Sequence, residues 1–341
     1  MNEKNNSIVG WGLAGATLAW QFYFNKTPFL VFDSGINTCT KTAAGIVNPI
    51  VFKRLTLSWR ADELMSHAKL FYNKVEKELG VKIIEPKSIY KMHTSHEDVN
   101  NWAGKQNLPH FKQFLGNTEQ IKHPYIKAPF GLGKVNTFGN LNTEMFLTQS
   151  KQFFLTLGVE FNTTRLNYSD INIKNSAIIF CEGAEIKNNP FFNYLPLKPT
   201  HGETITIKTD EYDFNDILNK NMFIMPLGNN LYQVGATYNW EKTNSDTTEI
   251  GKNELIEKLK NLVDFKYQIV DHQAGIRPTV LDRKPLLGKH PNHENLYVFN
   301  GLGTKGVMLA PFFSNQLLNF INNTGEIDNE VDILRFQKYL N

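Results

Sequence analysis

The chain has 341 residues, 41% of them hydrophobic and 20% charged, and its 36 basic and 33 acidic side chains leave a formal net charge of +3. That balance gives no electrostatic case for a nucleic-acid partner or an acidic membrane, and the length suits two domains with a sizeable core. Two cysteines, Cys39 and Cys181, supply neither a disulfide framework nor metal-ligand spacing, so a reducing cytoplasm and no metal ion are expected.

The basic pairs Lys53-Arg54 and Lys122-His123 read as ordinary surface, and Cys181, inside an apolar run, reads as a buried inert thiol. Residues 7–24 are mostly apolar. They are broken by Gly10, Gly12 and Gly15, preceded only by Lys4, and followed by no small-residue cleavage pattern. Neither a signal peptide nor a membrane span is expected there.

The chain opens strand, tight turn, helix, strand. Residues 7–9 predict a short buried strand, 10–15 the turn, 16–24 a helix, and 28–32 a second buried strand ending at Asp33. Leu64, Ala68, Phe71, Val75 and Leu79 recur at three- and four-residue steps and predict a helix over 59–79, capped by Gly80. Residues 82–94 then alternate like an antiparallel strand, and 108–134 are rich in proline, glycine and aromatics, which marks the start of a second domain.

A helix is predicted over 141–157, with Asn142 and Gly158 at its ends. Residues 176–181 form another buried strand that runs into Glu182-Gly183. Alternating strands follow at 203–208, 222–226 and 231–238, then a helix over 252–263, a strand over 295–300, a glycine loop and a helix over 307–321. Parallel-type pieces thus lie at both ends and in the middle, with antiparallel pieces in two inserts. The expected fold class is α/β: a Rossmann-like domain with a parallel sheet (1–80, 140–200 and 272–341) and an inserted, mainly antiparallel α+β substrate domain (81–139 and 201–271).

Gly10-x-Gly12-x-x-Gly15 follows a strand and opens a helix, and Asp33 ends the next strand. The first glycine makes the turn, the second lets backbone approach a pyrophosphate, and the third lets the helix pack on the strand. Free helix N–H groups then face the phosphates while the acid accepts from ribose hydroxyls. This fingerprint does not separate FAD from NAD. A second loop, Gly301 to Gly306, precedes the last helix without an acid-ended strand after it. It aims a helix N-terminus and Lys305 at some other anion, such as a reduced flavin.

With these motifs the chain resembles the D-amino-acid oxidase/glycine oxidase superfamily of FAD enzymes. The N-terminal fingerprint carries part of the resemblance. Thr42-Ala43-Ala44-Gly45-Ile46 resembles the family's segment beside the flavin, and Gly275-Ile276-Arg277-Pro278-Thr279 with Asp282, Pro285 and Gly288 resembles its arginine signature. Residues 301–311 resemble its closing flavin loop and helix. Gly303 to Gly306 and Gly235 to Tyr238 are most similar to the oxidase half of the bifunctional enzyme that completes methylaminomethyl-uridine in bacterial tRNA; 341 residues leave no room for its methyltransferase half.

The resemblance implies noncovalent FAD and an oxidoreductase that moves a hydride from a carbon next to an amine to the flavin. Gly10, Gly12, Leu13, Ala14, Gly15 and Asp33 would hold the ADP half; Ser34, Thr42, Ala43 and Gly45 the ribityl and ring region. Leu166 would touch adenine, Gly183 pass the pyrophosphate, and Gly303, Thr304, Lys305, Gly306 and Val307 face the ring. Arg277 would bind a substrate carboxylate, unless it forms a structural salt bridge with Asp282 or another acid. Tyr238 either closes over the substrate or packs in its strand, and His201 reads as structural.

The family's flavin-attaching cysteine has no counterpart in the Arg277 segment. Gln233 stands where some relatives carry a lysine that speeds reaction with oxygen, so oxygen is not assigned as acceptor. The expected partner is a small amine or amino acid. The alternatives are a tRNA-modification oxidase acting on carboxymethylaminomethyl-uridine, a nicotinamide dehydrogenase, and an electron-passing flavoprotein without small-molecule turnover.

Overall fold

The computed structural model describes residues 6–36, 39–120, 123–170 and 176–340; Lys4 and Lys122 lie outside the described residues. A six-stranded sheet runs in the order Phe161–Asn162, Phe29–Phe32, Asn6–Val9, Ile178–Phe180, Leu296–Asn300, Leu286–Lys289. All its pairs are parallel except the last, where Leu286–Lys289 meets Leu296–Asn300 antiparallel. Its strands are short apolar runs because helices cover them. The helix Leu13–Phe24 is buried on nearly every side. It packs against Gly306–Ile321, and that helix also packs on Ala61–Leu79. Trp20, fully buried, donates its indole N–H to Ser150 Oγ at 2.8 Å and so ties in the helix Thr143–Thr156.

An eight-stranded sheet takes the other segments, in the order Gln268–Arg277, Thr200–Lys208, Leu231–Gly235, Phe223–Gly228, Ile217–Asn219, Ile89–Met92, Leu132–Val135, Leu115–Glu119. It is antiparallel throughout, except that Ile217–Asn219 runs parallel to Ile89–Met92. The mixed α/β architecture with its parallel sheet is the expected one. The described helices include none long and apolar enough to cross a membrane.

Several elements differ from the sequence expectations. The strand expected over 82–94 is split into Ile84–Glu85 and Ile89–Met92, with Pro86, which lacks an N–H, between them. The helix His96–Gln106 was not expected, because it buries only Trp102 and presents no apolar stripe; Ser95 Oγ caps it by accepting from Asp98 N at 3.1 Å. The hairpin of Ile50–Val51 and Thr56–Leu57 was also missed. The strand expected over 231–238 stops at Gly235.

The parallel register sets the site. Val9, Phe32, Phe180 and Asn300 end neighbouring strands on one edge, so Gly10, Asp33, Gly183 and Gly301 emerge together. The first turn is compact. A Cβ at Gly15 would stand 2.0 Å from the Gly10 carbonyl oxygen, inside any permissible contact. Gly15→Ala should therefore lower the unfolding free energy by roughly 1–3 kcal/mol, the usual cost of overpacking. A Cβ at Gly104, in the helix His96–Gln106, meets nothing within 4 Å. Gly104→Ala should stabilise by about 0.5–1 kcal/mol. Urea midpoints of the two variants check the contrast; equal shifts would show that the turn has room.

Candidate active site

The turn and the strand ends are tied by backbone bonds. Gly10 N donates to Phe32 O and Cys181 N donates to Val9 O, each at 2.7 Å. Asp33 Oδ1 accepts from Trp11 N at 3.2 Å, and Thr40 Oγ1, which sequence reasoning missed, accepts from Leu13 N at 3.1 Å. A narrow cleft beside this turn is lined by Gly10, Gly12, Asp33, Ser34 and Leu166. Glu182 lines it too, accepting from Tyr168 Oη and Asn189 Nδ2 at 2.7 Å each; burial raises its carboxyl pKa.

The cleft shares Gly12 and Cys181 with a cavity of about 660 Å³. Leu13, Ala14, Thr42, Ala43, Gly45, Gly183, Gly303, Thr304, Lys305, Gly306 and Val307 line this cavity from the parallel-sheet side, and Tyr238 and Arg277 from the other sheet. Among the residues assigned to the cofactor or the substrate from the sequence, Gly15 lies in neither wall; its part is the packing of the turn. Three cations, Lys53, Arg277 and Lys305, line the cavity, and among the described residues no aspartate or glutamate does.

Arg277 ends the long strand Gln268–Arg277. Its Nη1 donates to Thr237 O at 3.3 Å and His201 O at 3.5 Å, and Tyr238 lies with its ring centre 4.5 Å from the guanidinium carbon. The guanidinium occupies the space a Cβ at Gly202 would need, 2.1 Å from both terminal nitrogens. The Asp282 salt bridge does not form: Asp282 pairs with Arg335 at 2.9 Å. Among the described residues no carboxylate pairs with Arg277.

Tyr238 is 58% exposed, which corrects the alternative of a packed strand tyrosine, since its strand has ended at Gly235. It sits on a strap bound to the strand Thr200–Lys208. Asn239 and His201 exchange N–H···O bonds at 2.9 Å, and Thr237 Oγ1 accepts from Glu203 N at 2.9 Å. The buried Glu203 carboxylate accepts from Thr248 N (2.9 Å), Thr248 Oγ1 (2.7 Å) and His272 Nε2 (2.7 Å), which fixes the far end of the strap. His201 is structural in this sense, and fully buried.

Lys305 donates from Nζ to Asn48 O at 2.6 Å, and burial pulls its ammonium down to about 8. Gln233 does not line the cavity; its amide donates to Thr42 O at 3.0 Å and Thr204 Oγ1 at 3.3 Å, behind the wall. The place of Cys39 could not be read from the sequence. It is remote from the Arg277 segment in sequence, yet it lines the cavity against Gly275, whose Cβ would stand 3.1 Å from its Cα. Burial, opposed by the Arg277 charge, pushes its thiol up to about 11, so it is not a thiolate near neutral pH.

The profile of the DAO family, described as FAD dependent oxidoreductase, matches residues 7–317. The tRNA 5-methylaminomethyl-2-thiouridine biosynthesis bifunctional protein of Legionella pneumophila (strain Corby) is 22% identical over 365 residues, covering 94% of this chain and 54% of its own. The chain thus spans about half the length of this relative. Glycine oxidase of Bacillus subtilis is 22% identical over 93% of this chain and 92% of its own. In fold the chain is similar to glycine oxidase from Geobacillus kaustophilus (TM-score 0.79, 18% identity, 97% of each chain). It is equally similar to iminodiacetate oxidase from Chelativorans (TM-score 0.79, 16% identity, 96% of this chain and 98% of that one).

FAD fits these walls. The first-turn N–H groups of Leu13–Phe24 have no intrahelical acceptor, Asp33 brings a carboxylate acceptor to the cleft beside them, and the cavity has room for a ring system with a small molecule beside it. Asp33→Ala should weaken FAD binding roughly 10–150-fold, the loss of one charge-assisted bond, as read by fluorescence titration. An unchanged affinity would show that Asp33 faces away from the cofactor.

Lys305 sets a pH dependence. Its ammonium is held at about 8 against an ordinary 10.5. Between those values the unfolded chain holds a proton that the folded chain has released, so folding stability rises with pH. The FAD-free native protein should gain stability relative to Lys305→Met from about pH 8 to pH 10.5, with the desolvation penalty fully present below pH 8. A pH-independent difference in urea midpoints would show that the amine is solvated.

Proposed function

Because the chain belongs to the DAO family of FAD-dependent oxidoreductases, we propose that it oxidises the carbon–nitrogen bond of a small amine or amino acid bearing a carboxylate, with FAD held noncovalently. One observation carries this reading: Arg277 enters the cavity with only backbone carbonyls as acceptors, its charge uncompensated by any described carboxylate. A carboxylate is the partner a guanidinium fork takes bidentately.

Arg277 then fixes one end of the substrate, and the Tyr238 ring shields that ion pair from water. A wall without acids gives an ammonium no partner, so the amine binds neutral, its lone pair available to form the imine as hydride leaves the adjacent carbon. The flavin, when bound, supplies the hydride acceptor. Lys305 and the N-terminus of Gly306–Ile321 bring positive charge to the same wall, which favours an anionic reduced cofactor. The imine product hydrolyses in water.

Noncovalent binding is supported by the raised thiol of Cys39, the cysteine nearest Arg277. The two sheets support the domain division at 1–80, 140–200 and 272–341 against 81–139 and 201–271, with Gln268–Arg277 crossing the last boundary. A second reading keeps the chemistry and changes the carrier. Tyr238 and Trp240, 58% and 45% exposed on one strap, offer stacking faces to the base of a carboxymethylaminomethyl-uridine. Flavin bleaching by that nucleoside in RNA, with none by small amines, would select it.

The purified protein should be yellow and release its FAD on acid precipitation. Arg277→Met should keep FAD and lose productive use of a carboxylate substrate by about 2–5 kcal/mol in transition-state binding. Stopped-flow reduction by glycine, sarcosine and other N-alkyl glycines compares the proteins. Equal rates at equal concentrations would exclude a carboxylate clamp, and a variant that cannot hold FAD would show that Arg277 is structural.

A further inference from the structure

The cavity holds one cation that the amine-oxidation reading leaves unused. Lys53 lines the same cavity as Arg277, from the tip of the hairpin formed by Ile50–Val51 and Thr56–Leu57. Among the described residues it has neither an ion-pair nor a hydrogen-bond partner, although 33 acidic side chains are present in the chain. A free surface lysine is ordinary, but this one stands on a braced tip.

The bracing comes from both sides of the cavity. Asn48 Oδ1 accepts from Ile50 N at 2.9 Å, and Asn48 O accepts from Lys305 Nζ at 2.6 Å, so the hairpin base is tied to the loop before the last helix. Lys105 Nζ reaches from the helix His96–Gln106 to donate to Leu55 O at 2.7 Å and Arg54 O at 3.4 Å. Leu55 has a φ of +46° while only 2% exposed. A left-handed leucine is strained and persists only where its surroundings over-determine it. The strained, pinned turn fixes the backbone that carries Lys53. The amide residues Asn219 and Asn221, at the turn after Ile217–Asn219, line the cavity as well.

We propose that Lys53 forms a second anion subsite, so that the substrate is a dianionic amine: one carboxylate on Arg277 and a second anionic group at Lys53. This deepens the proposed function and rests on it. With no acid in the wall, the field of Lys53, Arg277 and Lys305 adds in one direction, and a dianion gains more from it than a monoanion. Lys53 is exposed, so the gain is modest and screened by salt.

The test uses the FAD-loaded protein. Flavin reduction by sarcosine is compared with reduction by iminodiacetate and N-(carboxymethyl)-β-alanine, which keep the amine and first carboxylate and add a second. A dianion should be preferred about three- to tenfold in the second-order rate constant for reduction, and the preference should fade at 0.5 M salt, where the screening length is only about 4 Å. Lys53→Met should bring the ratio near one, while Arg54→Met, on the same hairpin but outside the cavity wall, should retain it. In parallel, succinate and propionate are titrated against the bound flavin's visible spectrum, a readout that needs no turnover. Tighter binding of succinate that depends on Lys53 supports the subsite. Equal treatment of mono- and dianions, or a preference that survives Lys53→Met, overturns it. If no amine bleaches the flavin, the amine-oxidation reading fails, and the succinate titration still decides the subsite.

Discussion

The structure turns on keeping cations in a cavity wall without neutralising them. An ion taken out of water needs compensation, and the usual partner is a carboxylate. Here the compensation comes from backbone carbonyls: Thr237 and His201 for Arg277, Asn48 for Lys305. A carbonyl dipole orients a cation and offsets part of its desolvation, yet leaves its full charge for a ligand. The price is geometric, because each carbonyl must be held in place by the fold. Gly202 gives up a side chain so that the guanidinium fits, and Asn48 bends the chain so that one end accepts from Lys305 while the other caps the hairpin.

The strand Thr200–Lys208 sorts charge by its pleat. Gly202 and Thr204 face the cavity, whereas His201 and Glu203 point to the other side, under the helix Glu249–Lys260. The acid on this strand is therefore spent on the back of the sheet, where Thr248 and His272 satisfy it and where it secures the strap that carries Tyr238. Moving Glu203 by one residue would put a carboxylate beside Arg277 and neutralise its charge.

Much of the parallel sheet was legible because its signals are local. Apolar runs, glycine turns and cap residues identify its four inner strands and the main helices within about ten residues, as at Asn142, whose side chain accepts from Met145 N at 3.0 Å, whereas the short strands Phe161–Asn162 and Leu286–Lys289 at the sheet's two edges went unread. The cavity wall was legible only where glycine motifs marked it. Nothing near Cys39 or Lys53 in sequence says what lies opposite them; a thiol and a basic pair look alike on a surface and in a wall. Glu203 and Thr40 were missed for a related reason: their partners lie 45 and 27 residues away, and no spacing rule reaches that far.

The same physics explains why recognisable relatives are only 22% identical across nearly the whole chain. The parallel-sheet side, proposed here for the cofactor, is built largely from backbone N–H groups and small residues, which depend on chain path more than on side-chain identity. A fold with those strand ends in register keeps that surface while most positions change. The side proposed for the substrate is built from side chains on the antiparallel sheet and on the hairpin tip: Arg277, Tyr238, Asn219, Lys53. Each can be exchanged without disturbing the parallel sheet, because each stands at a strand end or on a turn. Under the proposed function, specificity is free to change there without cost to the parallel sheet, so the residues that would distinguish this chain's substrate lie where similarity of fold is least informative.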